Sequence, residues 1–151
     1  MRRQIILPMF VLALGLVGCG FHVPHPETTS SVVGIGGGPI VVDMWANDNL
    51  VQPGETVKFR ATVTNKTSEI FLIDLKDQPV LDIVTKSGGQ VIRWSDGKAL
   101  TSDLTHLELK PGESKTIEMD YVAKCCDVIL AYADFRYGGG GVSPSVTVVV
   151  W

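Results

Sequence analysis

Ser95, Asp96 and His106 supply the group types of a hydrolytic triad, in which a serine nucleophile needs a base and an orienting acid. Ser95 lacks the Gly-x-Ser-x-Gly elbow that exposes such a nucleophile. In Leu104-Thr105-His106-Leu107, alternation puts Leu104 and His106 on one face, so His106 is better read as a hydrogen-bonded structural histidine. Cys125 and Cys126 are adjacent, with Cα atoms about 3.8 Å apart and below the usual disulfide range, so a vicinal bond between them needs a bent backbone. A turn over Lys124 to Asp127 would supply the bend; two separate thiols, an intermolecular bond or metal ligation are the alternatives. His22 and His25 are spaced to touch one metal ion but lack a third ligand, so they read as linker, and no metal or other cofactor is expected. Gly138 to Gly141 lacks the Lys-Ser or Lys-Thr of a phosphate loop and reads as a hairpin loop. Asn65-Lys66-Thr67 has the form of a glycosylation acceptor and reads as a turn.

Cys19 has a more specific context. Arg2 and Arg3 precede an apolar run from Ile5 to Leu16, and Leu16-Val17-Gly18-Cys19 closes it. A charged start, a short apolar stretch and a small residue at the exit make an export signal, and the run is too short for a membrane span. With its final cysteine the segment resembles a bacterial lipoprotein signal, which implies that the Cys19 thiol receives a diacylglycerol and that residues 1–18 are removed. Burying acyl methylenes contributes about 0.8 kcal/mol each, so several chains on one residue anchor stably. Gly20 stands where an aspartate would signal retention at an inner membrane, which favours the outer membrane in a cell that has one. The remaining residues around Arg2 and Arg3 match a twin-arginine signal poorly, so the general secretory route is expected.

Removing residues 1–18 leaves eleven basic against sixteen acidic residues, a net charge of −5. A nucleic-acid footprint needs clustered Lys and Arg, so nucleic acid is not an expected partner. About 133 residues remain, enough for one domain. Residues 19–38, rich in Pro, Ser, Thr and Gly, read as a flexible tether, with Val32, Val33 and Ile35 available for an edge strand. The domain is expected over residues 39–151.

Short strands must position whatever this domain presents. Val57, Phe59, Ala61 and Val63 alternate with Lys58, Arg60, Thr62 and Thr64, and Ile117, Met119 and Tyr121 alternate with Glu118 and Asp120. Further runs lie at Ile40 to Trp45, Ile70 to Leu75, Val80 to Thr85, Val91 to Ser95, Leu104 to Leu109, Val128 to Tyr137 and Val146 to Trp151. Pro53-Gly54-Glu55 and Pro111-Gly112-Glu113 have type II turn chemistry. The pattern predicts an all-β fold, an immunoglobulin-like antiparallel β-sandwich. Ile92 and Trp94 share a face, which makes Trp94 a core residue. Arg93 and Asp82, charged among apolar strand neighbours, must be paired or face solvent.

Val63-Thr64-Asn65-Lys66-Thr67-Ser68-Glu69, Gln78, Asp82, Arg93-Trp94-Ser95-Asp96-Gly97-Lys98 and Leu107-Glu108-Leu109-Lys110-Pro111-Gly112-Glu113 resemble, in this order, the intracellular proteinase inhibitor family of the BsuPI type. Leu81, Ile83, Ile92 and Leu100 depart from it, standing where the family tends to have aromatics. The resemblance implies a sandwich domain and an inhibitor of a serine proteinase. The expected protein is therefore a non-enzymatic lipoprotein of the bacterial cell envelope, held to the membrane through lipid on Cys19 and binding a protein partner, with proteinase inhibition as one form of that binding. A structural or adhesion module of an envelope assembly is the alternative. The candidate binding loops are Lys86-Ser87-Gly88-Gly89-Gln90 and Ser95-Asp96-Gly97-Lys98, the second extending to Thr101.

Overall fold

A computed structural model describes residues 27–35, 38–125, 127–137 and 140–151. Residues 1–26, with Cys19, His22 and His25, and Gly36, Gly37, Cys126, Gly138 and Gly139 lie outside them. The strands are β1 (Thr28–Ile35), β2 (Gly38–Ala46), β3 (Leu50–Val51), β4 (Thr56–Asn65), β5 (Phe71–Asp74), β6 (Leu81–Ser87) and β7 (Gln90–Arg93). A helical turn α1 (Ser102–Thr105) then precedes β8 (His106–Leu109), β9 (Ser114–Val122), β10 (Val128–Tyr137), β11 (Gly140–Val142) and β12 (Ser145–Val150).

One sheet runs β1-β2-β4-β9 and the other β3-β12-β10-β6-β7, with β11 also on β10 and β5-β8 forming a separate ribbon. Pairing is antiparallel except between β3 and β12. The fold is the expected all-β, immunoglobulin-like sandwich. Alternation dictates the layers: Val57, Phe59, Ala61 and Val63 of β4 and Ile129, Ala131, Ala133 and Phe135 of β10 are buried in one cluster. Full burial of a side chain such as Phe59 or Ile129 contributes about 1.5–3 kcal/mol. Phe135 extends the cluster sideways, its ring 6.3 Å from both Phe71 of β5 and Tyr137.

The sheet starts earlier than the composition suggests. Thr28 to Ile35 pairs with β2 from Thr28 opposite Ala46 to Ile35 opposite Gly38, so the sandwich reaches back into the expected tether. After Pro26 the segment is rich in β-branched Thr, Val and Ile, and that strand propensity outweighs its loop-like Ser and Gly content. Two further expectations shift. The Val91 to Ser95 run stops at Arg93, because Trp94 to Gly97 turns, and the Leu104 to Leu109 run begins as α1 and becomes strand only at His106. Gly140 and Gly141 belong to β11 rather than to a loop. Glycine is needed there, since a Cβ on Gly141 would lie 2.9 Å from the Phe135 carbonyl oxygen.

Both Pro-Gly-Glu sequences close the same way. Glu55 N–H donates to the Gln52 carbonyl and Glu113 N–H to that of Lys110, while Gly54 and Gly112 take φ of +90° and +79°. Each glutamate carboxylate then accepts the N–H of the residue before the proline, at 2.7 Å from Gln52 and 2.8 Å from Lys110. The second turn docks on Asn65, which is fully buried. Asn65 Nδ2 donates to the carbonyls of Glu69 and Leu109, and Oδ1 accepts from the Thr67 N–H and hydroxyl. With both amide hydrogens engaged and no exposure, Asn65 is a structural clasp and not a glycan acceptor.

Register also gives the sandwich two distinct ends. Thr28 lies opposite Ala46, Ala46 opposite Phe59 and Phe59 opposite Met119, so the start of β1 shares an end with the turn at Pro53-Gly54 and the exit of β9. Trp151 N–H donates to the Val51 carbonyl, Val150 N–H to that of Asp127, and the Ser87 hydroxyl to Asp127 Oδ2, which brings the Ser87–Gln90 turn to that same end. Arg93, the start of β6 and the end of β10 lie at the other end.

Asn65→Ala should leave the Glu69 and Leu109 carbonyls unsatisfied and cost roughly 3 kcal/mol, read from urea unfolding; Asn65→Asp, of the same shape but turning an acceptor on those carbonyls, should cost at least as much.

Candidate functional site

At the end of the sandwich away from the start of β1, Asp82 is 2% exposed on β6. A carboxylate so far out of water must be fully hydrogen-bonded. Its Oδ1 accepts the Ile83 N–H at 3.0 Å and the Ser95 N–H at 3.1 Å; its Oδ2 accepts the Ser95 hydroxyl at 2.6 Å and Arg93 Nη1 at 3.4 Å. Asp134 stands opposite Asp82 on β10 and accepts Arg93 Nη1 at 3.3 Å and Arg136 Nη2 at 2.9 Å. Arg136 Nη1 reaches Gln78 Oε1 at 3.3 Å. Two carboxylates and two guanidiniums balance, and among the described residues no buried side-chain polar atom lacks a partner.

Burial pushes the Asp134 carboxyl up, but the hydrogen bonds and charges of Arg136 and then Arg93 outweigh it and hold the group below its ordinary 3.8. Burial would lower the Arg93 guanidinium, and Asp134 and Asp82 together raise it. The Arg136 guanidinium is raised by its hydrogen bond to Asp134. Around these groups lies a cleft of about 270 Å³ whose lining includes Asp77, Gln78, Arg93, Ser95, Leu100 and Arg136.

Asp82 fixes the turn above the cleft. Arg93 N–H donates to Asp96 Oδ2 at 2.8 Å, the Asp96 and Lys98 N–H groups donate to the carbonyls of Arg93 and Ser95, and Gly97 has φ +73°. Lys98 Nζ sits 3.0 Å from the centroid of the Trp94 ring. Burial lowers the Lys98 ammonium, partly offset by the charge of Asp82. Trp94 packs against the core yet is half-buried, a correction to its reading as a core residue: leaving the strand at Arg93 turns part of the indole outward under Lys98. Ala99, Leu100 and Thr101 follow as exposed chain, with Leu100 52% exposed, and the Leu104 and Thr105 N–H groups on the Thr101 carbonyl secure the other side. Ser95 to Thr101 is thus a short exposed segment clamped at both ends.

The other candidate loop lies at the opposite end of β7. Gly88 and Gly89, with φ of +54° and +75°, form the two-residue turn between Ser87 and Gln90. Gln90 Oε1 accepts Lys124 Nζ at 2.8 Å, and Lys86 Nζ lies 5.2 Å from the Tyr132 ring centroid. The hydrogen bond from Ser87 holds the Asp127 carboxyl down. Ser95, Asp96 and His106 do not form a set: Ser95 bonds to Asp82 and Asp96 to the backbone of Arg93, while His106, half-buried, opens β8 opposite Asp74. Cys125 is exposed, and Cys126, with the expected vicinal bond between the two, falls outside the described residues.

Sequence reasoning singled out Gln78, Asp82, Arg93 and Ser95 and missed Asp134 and Arg136. The signal was available in Ala133-Asp134-Phe135-Arg136, where alternation sets opposite charges on the face turned away from Ala133 and Phe135.

Because the Asp134 carboxyl is held down in the folded state, its contribution to stability is present above the ordinary carboxylate range and is lost as pH falls through the folded value. Asp134→Asn should lower the urea midpoint near neutrality and flatten its decline as pH falls through and below the ordinary carboxylate range; a parallel decline in wild type and variant would contradict this.

A family model described as BsuPI, intracellular proteinase inhibitor, matches residues 45–125, just over half of the chain. No curated protein matches the chain. Among solved structures, the chain is similar to the CARDB domain of a Pyrococcus furiosus protein solved in complex with di-metal ions, at 10% identity and a TM-score of 0.42, covering 84% of this chain and 94% of that one.

Proposed function

The chain belongs to the BsuPI family of intracellular proteinase inhibitors, and on that premise we propose that it is an envelope lipoprotein, anchored through lipid on Cys19, whose sandwich binds and inhibits a serine proteinase. The observation that carries this reading is the clamped segment Ser95 to Thr101. Inhibition by an exposed loop needs a segment held rigid, because preorganisation limits the entropy lost on binding and keeps the loop from being cleaved and released. Asp82 fixes Ser95, Trp94 receives Lys98, and α1 holds Thr101, so Leu100 is presented on chain that is already ordered. On this reading the protein acts by binding, and the Ser95 hydroxyl, hydrogen-bonded to Asp82, holds the segment in place.

The assembly alternative has its own support. Val91, Leu130 and Val149 are 55%, 38% and 42% exposed on the second sheet. Lys86 separates Val91 from Leu130 across that sheet, which makes the apolar surface discontinuous and the weaker argument.

The soluble chain from Gly20 should slow a subtilisin-like serine proteinase at stoichiometric concentration and emerge uncleaved. Leu100→Gly should weaken inhibition at least about tenfold, roughly 1.4 kcal/mol, without moving the unfolding midpoint. Digestion of the wild-type domain as an ordinary substrate would favour the assembly module instead. Cys19→Ala should abolish lipid labelling in cells and leave the precursor unprocessed or mislocalised.

A further inference from the structure

The chain length before β1 favours one polarity of the sandwich relative to a lipid anchor, and this rests on the reading of Cys19 as the lipidated residue. Glu27 Oε2 accepts Trp45 Nε1 at 3.0 Å and Thr28 begins β1, so only Gly20 to Glu27 separate the anchor from the sheet. From Cys19 to Thr28 the chain reaches at most about 32 Å when fully extended. β4, ten residues long, spans about 33 Å from one end of the sandwich to the other. Turning the domain end for end would need that tether drawn out to its limit, so the end where β1 begins lies nearest the anchor.

The end where β1 begins also carries exposed apolar side chains. Val122, Val128 and Trp151 are 59%, 52% and 63% exposed. Val149, opposite Val128, is 42% exposed. The nearby charges are mixed, with Lys58 opposite Asp120 and with Lys124, Asp127 and Glu55 beside them, so among the described residues no basic patch at this end addresses anionic headgroups. A tryptophan with an apolar body and a polar N–H suits the interfacial layer of a bilayer.

We propose that this end rests on the lipid surface through Val122, Val128, Val149 and Trp151, leaving Ser95 to Thr101 and the Asp82–Arg93 cleft facing away from the membrane. Partner recognition then falls to the Ser95–Thr101 segment, while the Ser87–Gln90 turn sits at the membrane side.

Intrinsic tryptophans test the polarity, because Trp94 is at the outward end and Trp151 at the membrane end. The full-length protein, extracted with its lipid, is reconstituted into phosphatidylethanolamine–phosphatidylglycerol vesicles carrying brominated acyl chains. The variant W45F/W94F should be quenched at least about twice as strongly as W45F/W151F. Equal quenching, or stronger quenching of Trp94, overturns the proposal. In otherwise wild-type protein, Val128→Asp, at an exposed position, should reduce the total quenching, and an unchanged value also overturns lipid contact. Co-flotation of the protein with vesicles is scored separately. Protein that does not float shows that the anchor reading itself has failed, and the proposal with it.

Discussion

A carboxylate removed from water on β6 sets the terms for the outward end of this sandwich. Asp82 is satisfied only if the chain after β7 turns back to offer the Ser95 amide and hydroxyl and if Arg93 reaches across from its strand. Breaking such a buried pair leaves an uncompensated charge and typically costs about 3–5 kcal/mol, whereas the intact pair adds little net stability. Its value lies in specificity: it selects one path for the chain between β7 and α1. Asp134 and Arg136 extend the same logic to β10, so three strands of the second sheet are tied at one end by charge above a core that is apolar.

Elsewhere, local chemistry closes the sandwich. The same Pro-Gly-Glu clip stands at the entrance of β4 and of β9, and in each the glycine N–H donates across to a neighbouring segment, to Ala123 in one and Asn65 in the other. The motif pieces that look like a scattered family signature are therefore partners in space. Asn65 to Glu69 and Leu109 to Glu113 form one clasp, and Gln78, Asp82, Arg93 and Ser95 belong to one hydrogen-bonded network with Asp134 and Arg136. The hydrophobic substitutions at Leu81 and Ile83 fall in the core, where size and apolarity suffice, and Leu100 falls on the exposed segment, where it alters what a partner meets.

The family's association with an intracellular proteinase and the proposed export of this chain fit together if the sandwich is a binding scaffold that works wherever it is delivered. The scaffold keeps its loops by internal hydrogen bonds and needs no compartment to do so. What a partner meets differs between the two ends: the Ser95–Thr101 segment and the cleft at one, a tight glycine turn, a mixed charge pattern and exposed valines at the other.

Alternation alone determined most of the layers. β4, β9, β10 and β12 were legible because period-two burial is a property of the strand itself, and the Pro-Gly turns because φ > 0 needs glycine. The sequence underestimated β1, whose Ser and Gly content resembles linker, since an edge strand gains its order from the pairing partner and not from its own composition. It named Asp82 and Arg93 as charges needing partners but not the partners, and it placed Trp94 in the core. Only the tertiary structure decided that Asp134, some fifty residues after Asp82, lies directly opposite it on the neighbouring strand, that Ser95 turns back to the same carboxylate, and that the two candidate loops occupy opposite ends of β7. Sheet register joins residues distant in sequence, and nothing in the spacing of the chain records it.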